Sequence, residues 1–147
     1  MRSKAYQSYL DEEVLSANPL KLVELLYRGA LDSITSARRF LRLGDIRARS
    51  RAINHTMEIL VELARSLNHE AGGQVSRNLA ELYAYMQTLL IEANTRQSDP
   101  PLAQTERLLS TLLEAWSESA KAVTQNANQA GTLLPDVPSH EPVSCAY

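Results

Sequence analysis

The sequence predicts an all-α protein, an antiparallel up-down-up-down four-helix bundle with an N-terminal capping segment. Three observations predict it. Leu and Ala are abundant, while aromatics make up only 5% of the 147 residues and Gly (5) and Pro (6) are few; an all-β chain needs more β-branched, aromatic and turn residues. Apolar residues recur at helical spacing over four long segments. Cap-and-proline punctuation separates those segments by short connections, which favours antiparallel neighbours.

Each element follows from its own signals. Asn18-Pro19 reads as an N-cap with proline at the first helical position, and the first helix runs to about Leu43. Gly44 suits the left-handed residue after that helix, and Asp45 suits the cap of the next. The second helix is expected from Ile46 to Leu67. Asn68 to Gly73 (NHEAGG) is the break, and the third helix follows from Gln74 to Thr95. Asp99-Pro100 repeats the cap-plus-proline start, and the fourth helix is expected to reach Asn128. At a rise of about 1.5 Å per residue each helix is roughly 30 Å or longer. Residues 1–17 read as an arm outside the bundle of residues 18–128. Residues 129–147, with Pro135, Pro138 and Pro142, read as a disordered tail.

Composition excludes several functions. Fifteen basic against seventeen acidic residues give a net charge of -2, so this is no globally basic nucleic-acid binder. One cysteine, Cys145, cannot make an internal disulfide, which suits the reducing cytoplasm. The start has no apolar signal-peptide region, and no apolar run is long enough to span a membrane. No Gly-rich phosphate loop occurs. The Glu-x-x-His pairs of di-iron bundles are missing, and His55 three residues before Glu58 reads as a solvated surface histidine. No catalytic residue, metal ligand or cofactor is expected, and the chain is read as a non-enzyme.

Two features invite a binding role. The first is the width of the apolar arcs: roughly 200° on the second helix and 180° on the fourth, where a surface helix needs about 100° or somewhat more. Such arcs fit a well-packed core with scattered surface residues. They also fit a groove for a partner helix lined by Met57, Val61, Ala64 and Ile91, covered in part by Tyr6, Tyr9 and Leu10 of the arm. On the third helix, Val75, Leu79, Leu82, Tyr83, Met86, Leu90 and Ala93 form the main face, while Tyr85 sits near Glu81 and Glu92. The second feature is a run of six arginines from Arg38 to Arg51 with Asp45 as its only acid. It reads either as a charged corner of the bundle complementing a helix dipole or as a docking patch for an acidic surface or RNA. No aromatic interleaves the arginines, so it is not a single-strand stacking platform.

The motifs taken in order resemble one family, the flagellin export chaperones of the FliS type. They are A-Y-Q-S-Y (Ala5 to Tyr9), A-N-P-L-K-L-V-E-L-L-Y-R-G-A-L (Ala17 to Leu31) and I-L-V-E-L-A-R-S-L (Ile59 to Leu67). After them come G-G-Q-V-S-R-N-L-A-E-L-Y-A-Y-M (Gly72 to Met86), I-E-A-N (Ile91 to Asn94) and L-L-E-A-W (Leu112 to Trp116). The resemblance implies a cytoplasmic bundle that binds the disordered C-terminal segment of flagellin, prevents premature polymerisation and delivers the subunit to the flagellar type III export apparatus. It implies binding by Tyr6, Tyr9 and Leu10, with Met57, Val61, Ala64, Tyr85 and Ile91 assigned to the groove and its cap. An export-gate component is an implied partner, and an anti-sigma regulator is a further one left open; nucleic acid is not expected. The chain departs from the family pattern at His55-Thr56 and in its proline-rich tail. The alternative is a self-associating structural or regulatory bundle without flagellin cargo.

Overall fold

The protein, seen in a computed structural model, is described for residues 19–132, with side chains described for 19–122. The arm of residues 1–17, the Asn18 cap and nearly all of the tail lie outside the described residues. Four helices form: α1 (Pro19–Leu43), α2 (Ile46–Arg65), α3 (His69–Arg96) and α4 (Pro100–Thr132). There is no strand among the described residues. The last helix runs four residues past the expected end at Asn128, and α2 stops at Arg65 rather than Leu67.

The punctuation works as local chemistry requires, with two instructive differences. Gly44 takes a left-handed φ of 72°. Its N–H donates to Leu41 O at 3.2 Å and that of Asp45 to Phe40 O at 3.0 Å, the paired bonds that close a helix C-terminus. The Asp45 carboxylate then accepts from Ala48 N at 3.1 Å and starts α2. At the second junction, NHEAGG is not a plain break. Asn68 caps a helical turn by accepting from Ala71 N at 3.0 Å, and only Gly73 leaves helical geometry, at φ 50° and ψ -122°. Glycine adopts that conformation without the steric cost a side chain would bring. The Ser76 hydroxyl donates back to Asn68 O at 2.9 Å and ties the turn to the main helix. At the third junction Asp99 sits where a cap is expected, and its backbone carbonyl accepts the first helical bond from Ala103 N. Its carboxylate, however, is held by Arg38: Nε and Nη2 donate to its two oxygens at 2.8 and 2.9 Å.

α1 packs on α2 and α4, and α3 packs on the same two helices, so α1 and α3 face each other across the core. α1 and α4 meet at opposite ends. Arg38, late in α1, also donates to Glu106 at 2.5 Å, early in α4. Trp116 Nε1 donates to Leu20 O at 3.0 Å near the start of α1. At the centre, the hydroxyls of Tyr27 and Tyr83 share a buried hydrogen bond of 2.5 Å. Ile34, Ile53, Leu60, Leu63, Met86, Leu90, Leu102 and Leu109 close around them. On the main face of α3, Tyr83, Met86, Leu90 and Ala93 are buried, Leu79 and Leu82 are half-buried against the core, and Val75 is 54% exposed. Val75 lies in the first turn after Gly73, where the core ends.

Candidate partner-binding site

The seam between α2 and α3 is built from three kinds of position. At one end it is locked by polar groups. Ser50 Oγ donates to Asn94 Oδ1 at 3.1 Å, and Arg49 reaches the same oxygen through Nε and Nη2 at 3.3 Å and Gln97 Oε1 at 3.4 Å. Arg49 is only 3% exposed. It stands four residues before Ile53 on the buried face of α2, a spacing that marks it for the interior despite its charge. Neutral amide oxygens hold its guanidinium, so it fixes the register of α2 against α3 by five-donor geometry rather than by an ion pair.

Beyond that lock the seam turns small and apolar. At about 100° per residue, Met57, Val61 and Ala64 fall on the same flank of α2 as Ser50. Ala80, Ala84, Gln87 and Ile91 fall on the flank of α3 that Asn94 marks. Counting away from the Ser50–Asn94 contact in opposite directions brings Gln87 level with Met57, Ala84 with Val61 and Ala80 with Ala64. Met57, Ala64 and Ala80 are half-buried and packed against the core, and Ala84 is exposed. Val61 is 40% and Ile91 55% exposed. The small alanines keep this stretch low, and the larger Met57, Val61 and Ile91 supply an apolar row about 12 Å long, roughly two helical turns.

The sequence assigned eight residues to binding, and their placement divides them. Met57, Val61, Ala64 and Ile91 come together on the α2–α3 seam. Tyr85 does not join them. It lies on the other flank of α3, where Gln104 Nε2 of α4 donates to its hydroxyl at 2.9 Å, and it is 45% exposed. Tyr6, Tyr9 and Leu10 lie outside the described residues. Ala80 and Ala84, off the main face of α3, fall on the same seam. Arg49 as a buried lock escaped the sequence reading, although its spacing from Ile53 carried the signal.

The side chains of the seam offer apolar contact area. Among the described residues no group of three or more His, Cys, Asp or Glu side chains could hold a metal. The carboxylates held below their ordinary range are Asp99, by hydrogen bonds from Arg38, and Glu24, by hydrogen bonding to Lys21 and then Arg28. Both belong to ion pairs on α1 or between α1 and α4, away from the seam. No described helix is long and apolar enough to cross a membrane.

Residues 2–123, which cover the first three helices and most of the fourth, match the family described as flagellar protein FliS. The chain belongs to that family. It is similar to the flagellar secretion chaperone FliS of Salmonella typhimurium, at 39% identity over 84% of this chain and 94% of the relative. It is also similar to that of Campylobacter jejuni, at 33% identity over 78% and 89%. The FliS of Bacillus subtilis is 25% identical over 87% of this chain and 95% of its own. The resemblance carried by the tyrosine, L-Y-R-G-A and I-E-A-N motifs thus holds at the level of the family. The L-Y-R-G-A motif has a packing role: Tyr27, Gly29 and Ala30 are all buried in the face of α1 that meets the core.

Proposed function

We propose that this chain is a cytoplasmic secretion chaperone that binds the C-terminal segment of flagellin, keeps it from polymerising and presents it for flagellar export. The observation that carries the reading is the exposed apolar row on the α2–α3 seam, in a chain whose family relatives bear the name flagellar secretion chaperone. An amphipathic segment that would otherwise bury its apolar face against other flagellins lays it against Met57, Val61, Ala64 and Ile91. The segment is disordered when free, and ordering it typically costs about 2–5 kcal/mol. The complex is therefore specific yet releasable, and needs no nucleotide or covalent step. Residues 1–17, with Tyr6, Tyr9 and Leu10, act as an arm that covers part of the seam in the absence of cargo and then contacts the export gate. Tyr85, on the far flank of α3, engages a second piece of cargo that continues round the bundle. An anti-sigma regulator would compete for the same apolar row.

The test is co-purification of the full chain with flagellin from the same organism, whole and lacking its C-terminal segment. A soluble complex is expected with whole flagellin only. Equal binding to the truncated flagellin would contradict the reading.

A further inference from the structure

The end of the bundle that carries the α1–α2 turn has a surface that the flagellin seam does not use. Leu43 closes α1 and Ile46 opens α2, with only Gly44 and Asp45 between them. They are 71% and 56% exposed, the two most exposed large aliphatic residues among the described residues. Four arginines surround them: Arg39 and Arg42 on α1, Arg47 and Arg51 on α2, all exposed. No ion pair within 4.0 Å is formed by any of the four among the described residues. Arg39 lies over the Phe40 ring at 5.1 Å. The nearest acid in sequence, Asp45, is engaged in capping α2. The other acids at this end are also engaged: Arg38 holds Asp99 and Glu106, and Arg96 pairs with Glu92, while Arg42 acts on Asp99 only through the field of its charge. At the opposite end, Glu62 lies in the last turn of α2 and Glu70 in the first turn of α3. A chain of net charge -2 therefore carries a locally cationic tip.

The shape of this tip decides among anionic partners. Leu43 and Ile46 flank a two-residue turn and are each more than half exposed, so no groove encloses them. A protein partner would need a matching acidic hollow. A bilayer interface accepts any exposed apolar tip, while arginines beside it keep their guanidinium groups at the level of the lipid phosphates. The geometry points to peripheral docking of the α1–α2 turn on an anionic membrane surface, Leu43 and Ile46 entering the headgroup boundary and Arg39, Arg42, Arg47 and Arg51 contacting phosphates. This assignment is independent of the flagellin reading, because it uses none of the seam residues.

The experiment is co-sedimentation of the full chain with vesicles of phosphatidylcholine alone and of equimolar phosphatidylcholine and phosphatidylglycerol, at low and high salt. Binding is expected to the anionic vesicles only, weakening as salt rises. Each arginine near an anionic surface is worth about fivefold in partitioning. The quadruple change of Arg39, Arg42, Arg47 and Arg51 to Gln should therefore weaken binding on the order of a hundredfold or more. Leu43→Ser with Ile46→Ser should weaken it about tenfold or more, in a part that salt does not screen. Arg65→Gln with Arg77→Gln removes charge at the opposite end and should leave binding unchanged. Circular dichroism checks that every variant keeps its helices. Absence of binding at low salt, equal binding to phosphatidylcholine alone, or equal loss in the Arg65/Arg77 control would overturn the proposal. So would binding of poly-glutamate without binding of vesicles, which would assign the tip to an acidic protein.

Discussion

The α1–α4 side of the bundle and its α2–α3 seam are built from similar helices, yet they are held in different ways. α1 and α4 are tied at both ends: Arg38 grips Asp99 and Glu106, and Trp116 reaches the backbone of Leu20. α2 and α3 are tied at one end, by Arg49, Ser50 and Asn94. Over the remaining length they meet through small and half-exposed apolar residues. Part of the apolar surface that the chain does not need for its own core, Val61 and Ile91, lies there. The difference separates residues that hold the core from residues that the core leaves open: on α2, Leu60 is fully buried and its neighbour Val61 is 40% exposed.

That adjacency gives the largest expected effect. Leu60→Ala removes a core side chain and should lower unfolding stability by about 2–5 kcal/mol, measured by urea denaturation. Val61→Asp should change it by about 0.5 kcal/mol or less. Similar losses from both would erase the distinction between the two surfaces.

The next effect tests the centre that both sides share. Tyr27→Phe or Tyr83→Phe removes one side of the buried hydroxyl pair and should cost about 1–3 kcal/mol. The double change should cost less than the sum, since neither hydroxyl is then left without this partner. Strict additivity in the double-mutant cycle would mean that the pair does not couple α1 to α3.

A smaller effect concerns the α1–α4 tie. Arg38 holds the folded-state pKa of Asp99 below its ordinary value, chiefly by donating hydrogen bonds, and burial opposes it only in part. A depressed carboxylate contributes stability above the ordinary aspartate range, near pH 4, and loses it as pH falls through the folded value. Both side chains are partly solvated, so the contribution should stay at about 1 kcal/mol or less. Thermal melts from pH 6 downward should show a shallower acid loss for Arg38→Gln than for the unaltered chain. Parallel curves would remove this tie from the comparison.

How far each part was legible in the sequence follows from how local its cause is. Gly44 and Asp45 act through bonds to residues within a turn or so, so the first junction could be read directly. Gly73 also acts locally, but the capped turn before it needs Asn68 and Ser76 together, and a run of loop-forming residues conceals that. Asp99 was placed correctly as a helix start. The fate of its carboxylate depends on Arg38, sixty-one residues away in sequence, and no local pattern reports such a partner. The seam residues of α2 were legible as one flank of a wide apolar arc. Tyr85 was misgrouped because a helical angle alone does not say which neighbour lies on which side; only the Asn94 and Gln104 contacts fix that.

The central claim is that the exposed apolar residues of the α2–α3 seam bind cargo and are dispensable for folding. The direct measurement is calorimetric titration of a flagellin C-terminal segment into the full chain and into Val61→Asp and Met57→Asp, each checked for helicity by circular dichroism. The account predicts native helicity with affinity reduced at least about tenfold, the equivalent of 1.4 kcal/mol. Unchanged affinity in both variants, with the bundle intact, would contradict it.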